Sequence, residues 1–197
     1  GSSNDWYTVQ NYAAARNNDS QIIMGSCEIP LMQFGAINTG RYEAGAVPQS
    51  TNMYSWPMNN YWTTNFNADQ MGQTQWSYFI TSSADNSIQY ATRFAWENRI
   101  PLRARVFPAG NDAQTVVPAK SFFKIVPDNL LLVNMKPVKN ERAVMLQLRE
   151  IAGKPADFVV ESESLQFKQP VVCNVLGAPM DKASVSFKPW ENKFIKL

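Results

Sequence analysis

Short apolar runs, some alternating and some continuous, are cut throughout this chain by Gly, Pro, Asn and Asp, and they predict a mainly β protein. Trp6–Tyr12 alternates loosely. Gln21–Cys27 and Leu31–Phe34 read as short strands separated by Pro30, and Asn17-Asn18-Asp19-Ser20 reads as a turn. Asn38–Thr51, with Gly40, Gly45 and Pro48, reads as a loop. The clearest strands are Asn60–Asn67 and Gln73–Thr81, joined by a turn over Phe66–Gly72. In the second of these, Trp76, Tyr78 and Ile80 share one face, and Ser77, Phe79 and Thr81 the other. Leu102–Phe107 predicts a further strand.

One segment departs from the β pattern. Ile88, Ala91, Phe94 and Ala95 follow helical spacing after Ser82-Ser83-Ala84-Asp85, which predicts a short helix over Ser87–Glu97 lying on a sheet. Asp85 is the candidate N-cap, and Pro101 blocks continuation past Ile100.

From Leu130 onward the strands recur about every 10 residues with Gly and Pro between them. They are Leu130–Met135, Ala143–Glu150, Asp157–Glu161, Phe167–Asn174, Ala183–Phe187 and Lys193–Leu197. This spacing predicts a small antiparallel sandwich. Lys120–Val126, between Pro118 and Pro127, reads as a connecting strand.

Charge sharpens the division. All ten Lys lie at or after Lys120. Residues 1–119 carry six Arg against eight acids, net −2; residues 120–197 carry twelve basic and eight acidic residues, net +4. Seventeen of the 24 aromatics fall in the first part. This step predicts two modules, 1–119 and 120–197.

The chain contains no His. A Ser-His-Asp or Cys-His machine, an HExxH site and any His-ligated metal centre are therefore excluded from these residues. No run reaches the ~20 apolar residues of a membrane span, and Gly1-Ser2-Ser3-Asn4-Asp5 shows no basic-then-apolar signal pattern that would assign a compartment. A thin net charge of +2 gives no electrostatic case for nucleic acid. Glu28, Glu43, Asp69, Asp85, Glu97 and Asp112 are scattered and read as solvated turn or surface groups rather than a glycosidic pair. Cys27 and Cys173 read as small buried hydrophobes.

The most unusual stretch is Trp56-Pro57-Met58-Asn59-Asn60-Tyr61-Trp62-Thr63-Thr64-Asn65. In an extended strand Asn60, Trp62 and Thr64 point one way, and Asn59, Tyr61, Thr63 and Asn65 the other. Aromatic faces stack on sugar C–H surfaces, while Asn amides donate to and accept from hydroxyls. The same stretch also fits a core strand with Trp62 buried and the Asn side chains satisfying turns. Asn60, Tyr61, Trp62 and Asn65 are the candidate carbohydrate- or interface-facing residues.

Trp56–Phe66 resembles a segment in the C-terminal half of glycoside hydrolase family 38, the α-mannosidase-type enzymes. So do Trp76-Ser77-Tyr78-Phe79, Ala91-Thr92-Arg93-Phe94-Ala95-Trp96 and Ile100-Pro101-Leu102. Tyr7-Thr8-Val9-Gln10 and Pro30–Gly35 are similar to the preceding family segment. Asn134-Met135-Lys136-Pro137, Asn174-Val175-Leu176-Gly177 and Phe187–Phe194 are similar to its final small β domain. The resemblance runs in order over nearly the whole chain. It implies a partial galactose-mutarotase-like super-sandwich with one short helix over 1–119, followed by a small antiparallel β-sandwich over 120–197. It also implies that no cofactor is held in this chain, with zinc and the nucleophile Asp in a separate catalytic domain, and that the chain is inactive alone. The implied partner is that catalytic domain of the same polypeptide, with carbohydrate as a further partner where the chain lines the sugar cleft. Neither nucleic acid nor membrane is expected as a partner. Many relatives carry a His in or beside the segment matching Tyr61–Thr64, and this sequence has none. Strands that the super-sandwich would place before Asp5 are missing, which favours self-association through open edges. A free-standing carbohydrate-binding β-sandwich and a structural β protein are the alternative functions.

Overall fold

The computed structural model describes residues 6–38, 45–58, 65, 69–106 and 119–197. It is mainly β, with one short helix and five small antiparallel sheets among the described residues. The chain divides into two compact units, Gly1–Pro101 and Leu102–Leu197. This division and the joint expected at 119/120 differ by residues 102–119, of which 107–118 lie outside the described residues.

The first unit contains β1 (Tyr7–Thr8), β2 (Ala13–Arg16), β3 (Gln21–Gly25), β4 (Leu31–Phe34), β5 (Met53–Ser55), β6 (Phe79–Ser83) and α1 (Ile88–Arg99). They form two three-stranded antiparallel sheets, ordered β1-β4-β5 and β2-β3-β6. The β2–β3 hairpin turns at Asn17–Ser20, as expected. Asn17 Oδ1 accepts from the N–H groups of Asp19 (2.9 Å) and Ser20 (2.8 Å), the local side-chain bonding that makes Asn a turn former.

The helix is tied to the β2-β3-β6 sheet. Ala91 and Ala95, one turn apart, are fully buried on it, and Ile23 is fully buried in the sheet. Phe94 meets Phe79 of β6 edge to face at 5.7 Å. The buried Gln21 donates from Nε2 to the carbonyls of Asp85 (2.5 Å) and Ser87 (3.0 Å), anchoring the helix start. Ser87, not Asp85, is the N-cap: its Oγ accepts from Tyr90 N–H at 3.1 Å. Asp85 instead accepts from Ser87 N–H at 2.9 Å and so holds the capping residue. The Ser87 hydrogen bond and the backbone N–H of the same residue keep the Asp85 carboxyl below its ordinary pKa. The helix ends at Arg99, and Pro101 follows the C-cap Ile100.

Several predicted strands shift. β6 begins at Phe79 rather than Gln73. Residues 102–106 form no strand and are exposed, because no strand partner lies beside them among the described residues. β2 and β5 arise where no strand was expected.

The second unit contains β7 (Lys124–Val126), β8 (Leu130–Pro137), β9 (Val144–Glu150), β10 (Ala156–Asp157), β11 (Val159–Glu161), β12 (Val171–Cys173), β13 (Ser186–Phe187) and β14 (Asn192–Lys196). A four-stranded antiparallel sheet has the order β12-β14-β9-β8, and the pairs β11-β7 and β10-β13 complete the unit. Leu130, Leu146, Leu148, Phe158, Phe187 and Ile195 pack into one buried cluster, which draws side chains from the large sheet and from both pairs or their connections. Ile125 of β7 and Val160 of β11 pack against it. A sandwich-like unit results, with burial of each large apolar side chain contributing roughly 1.5–3 kcal/mol. The expected strand Asp157–Glu161 is divided in two, because the buried Phe158 leaves the ladder to join this core.

Candidate functional site

The β1-β4-β5 sheet presents two chemically different faces. Tyr7 lies opposite Met32 and Met32 opposite Ser55; Gln33 lies opposite Tyr54 and Phe34 opposite Met53. Strand alternation then puts Tyr7, Met32, Phe34, Met53 and Ser55 on one face. Trp6, Leu31, Gln33, Tyr54 and Trp56 lie on the other. Trp56 stays in register past the end of β5, its N–H donating to Leu31 O at 2.9 Å.

Both faces are aromatic. Trp6 and Trp56 meet edge to face, with centroids 5.7 Å apart and planes at 89°. Trp6 is 39% exposed. The buried Gln33 stiffens this face by donating to Asn38 O (2.9 Å) and accepting from Asn38 N–H (3.2 Å). On the opposite face the Tyr7 and Phe34 rings lie 5.2 Å apart, and the Tyr78 hydroxyl donates to Ser55 Oγ at 3.0 Å. Tyr7 and Phe34 also line an open groove of about 450 Å³ together with Thr8, Gln10, Tyr12 and Ala14. Its lining carries aromatic rings, hydroxyls and an amide but no charged side chain. Such a surface can stack on a pyranose ring and hydrogen-bond to hydroxyls, and its lining contains no carboxylate.

Of the four candidate residues, Asn60, Tyr61 and Trp62 lie outside the described residues, and Asn65 is exposed. Among the candidate acids, Glu43 and Asp112 also lie outside the described residues. Asp69 and Glu97 are exposed. Glu28 Oε2 accepts from Ser77 N–H at 2.8 Å, fixing the approach to β6. Cys173 is buried as expected; Cys27 is exposed, because it sits in the bend after β3 rather than within the strand.

The carboxylate that stands apart was not singled out by sequence reasoning. Glu150 is fully buried at the end of β9 and is in neither of the two salt bridges found among the described residues. It accepts from Asn129 Nδ2 (2.8 Å) and from the N–H groups of Ala152 (2.7 Å), Gly153 (2.9 Å) and Trp190 (2.9 Å). Burial raises its pKa, but the N–H groups of Trp190 and Ala152 and the Asn129 amide outweigh burial and hold the carboxyl below its ordinary value. Its partners come from three separate turns, so Glu150 is a structural hub and not a reacting group.

No group of three His, Cys, Asp or Glu converges among the described residues.

No protein-family model matches the chain, and no curated protein matches it. Solved structures do. A protein in glycosyl hydrolase family 38 from Enterococcus faecalis superposes over 98% of this chain with a TM-score of 0.70 at 12% identity. An α-mannosidase from Enterococcus faecalis covers 98% with a TM-score of 0.62 at 11% identity. This chain has the fold of one stretch of those structures. It spans only 22% and 21% of their lengths.

Proposed function

We propose that this chain is the non-catalytic C-terminal β region of an α-mannosidase-like glycoside hydrolase. In this reading the first unit is part of a galactose-mutarotase-like super-sandwich and the second is the small terminal sandwich. The chain buttresses a zinc-dependent catalytic domain carried by the same polypeptide. The aromatic segment from Trp56 to Asn65 lines part of its sugar cleft, with Asn60, Tyr61, Trp62 and Asn65 facing carbohydrate or that domain. The observation that carries the reading is the superposition of 98% of this chain on about a fifth of a family 38 structure. The ordered family-like segments and the charge-free aromatic groove agree with it.

Two experiments test the reading. The isolated chain should not turn over an aryl α-mannoside with or without added zinc; turnover that persists through repurification would place catalytic groups in this chain. Trp62→Ala should leave the thermal transition in place while reducing binding to mannose oligomers on a glycan array by about tenfold, the scale of one lost stacking contact. Equal binding by the folded variant removes the sugar-lining role.

A further inference from the structure

The turn between β13 and β14 carries a residue that its geometry disfavours. Glu191 N–H donates to Lys188 O at 3.1 Å, closing a four-residue turn with Pro189 and Trp190 at its centre. Trp190 has φ +64°. Proline at the second position and a positive φ at the third make this a type II turn, whose third position ordinarily takes Gly or Asn. For a bulky side chain the conformation is an outlier. Such strain persists only where the surroundings over-determine it, and it gathers at ligand-contacting sites. The surroundings here do over-determine it. The buried Glu150 accepts from Trp190 N–H at 2.9 Å. Glu191 accepts from Glu150 N–H at its carbonyl (2.9 Å) and from Lys188 N–H at its carboxylate (2.7 Å).

The indole on this turn does not serve the core. It is outside the buried cluster of the second unit and is 47% exposed. Gly153 takes one side of the ring: a Cβ there would lie 2.6 Å from Trp190 Cζ2 and 3.0 Å from Cε2. Gly153 has φ +70°, and its N–H donates to the same Glu150 oxygen that holds Trp190. Ring and seat are thus fixed by one buried carboxylate. Among the described residues the indole N–H has no hydrogen-bond partner and the ring no aromatic neighbour. Lys154, Lys188 and Asn192, exposed and close to the turn or its seat in sequence, carry hydrogen-bond donors. A stable protein interface takes about 800 Å² from each partner, with an apolar centre. A lone ring flanked by donors matches a smaller object with one apolar face and a polar edge, which is a pyranose. We propose that Trp190 is a carbohydrate-stacking platform, taking the C–H face of a sugar ring on its open side while the indole N–H donates to a hydroxyl. The choice of mannose as the sugar rests on the hydrolase reading; the platform rests on the turn.

The test is a ¹H–¹⁵N spectrum of the full 197-residue chain, in which each of the six Trp gives one indole N–H signal. The signal lost in Trp190→Asn is that of Trp190, and Asn accepts the positive φ of the turn. Mannotriose should shift the Trp190 signal saturably. The amide signals of Gly153 and Lys154 should follow it. In Trp190→Asn the Kd read from those amides should rise by about tenfold or more, the scale of a lost stacking contact. Trp190→Phe, which keeps a ring, should retain most of the affinity. Circular dichroism checks that each variant keeps the native fold. A Trp190 signal unmoved by mannotriose and by trisaccharides of other hexopyranoses overturns the proposal, whether or not the variants fold. So does full retention of binding in the folded Asn variant, which would make the indole a structural prop. A Trp62 signal that moves while that of Trp190 stays fixed keeps the sugar-lining reading and overturns this one. A Trp190 shift with another hexopyranose but not with mannotriose supports the platform and counts against the α-mannosidase reading.

Discussion

Glu150 shows how one buried charge can organise a unit. It spans the turn at Asn129, its own turn at Ala152 and Gly153, and the turn carrying Trp190. Glu150→Gln keeps the shape but sets an amide NH₂ against N–H donors, and should cost about 2–4 kcal/mol in urea unfolding. The pH dependence follows from the lowered pKa. The folded carboxyl titrates below the unfolded one, so its stabilisation is fully present above the unfolded value and is lost as pH falls through the folded one. Wild-type stability should therefore drop on acidification through the carboxylate range, and Glu150→Gln should flatten that drop. An equally steep acid limb in the variant would move the effect to another group. Sequence reading missed this residue because Glu at a strand end looks like any solvated acid. Its role depends on turns 21 and 40 residues away in the chain. Asp85 was a nearer miss: the capping region was legible, but that Ser87, two residues further on, faces Tyr90 N–H is set by backbone geometry.

At the scale of elements, periodicity found α1 and the strands that carry β-branched or long apolar residues, such as β3, β4, β8, β9 and β14. It did not find β2. Ala13-Ala14-Ala15 has high helix propensity and no β-branched residue, so the strand conformation is imposed by the Asn17–Ser20 turn and by pairing with β3. It also predicted a strand at Leu102–Phe107, where the apolar pattern is present but no neighbouring strand pairs with residues 102–106 among the described residues. The contact between β3 and β6 makes a sharp prediction at Gly25. A Cβ there would lie 2.5 Å from Asn11 O and clash with the edge of the Phe79 ring at Cζ and Cε2. Gly25→Ala should therefore displace Phe79 from Phe94 and destabilise the first unit by about 1–3 kcal/mol. A thermal melt matching wild type would show that the helix–sheet junction has room that the packing does not indicate.

For the whole molecule, the mainly β architecture and the helix α1 were legible in the sequence, as was the change of character along the chain. The charge step, −2 against +4, falls in the stretch between the Pro101/Leu102 division and β7. The aromatic candidate site was only partly traceable. Asn60, Tyr61 and Trp62 lie outside the described residues, while Trp56, at the head of the same segment, packs on Trp6 in the β1-β4-β5 sheet. That pairing joins residues 50 positions apart through strand register, which local pattern does not encode. The hydrolase reading holds that this chain works as one portion of a much larger polypeptide. The mass of the native protein, measured by immunoblot of source cells with an antibody raised against this chain, tests that claim most directly. Because the matched stretch is 22% of a family 38 structure, the reading predicts a band near 22.2/0.22, or roughly 100 kDa. A native band at 22.2 kDa, the mass of this chain alone, would contradict it.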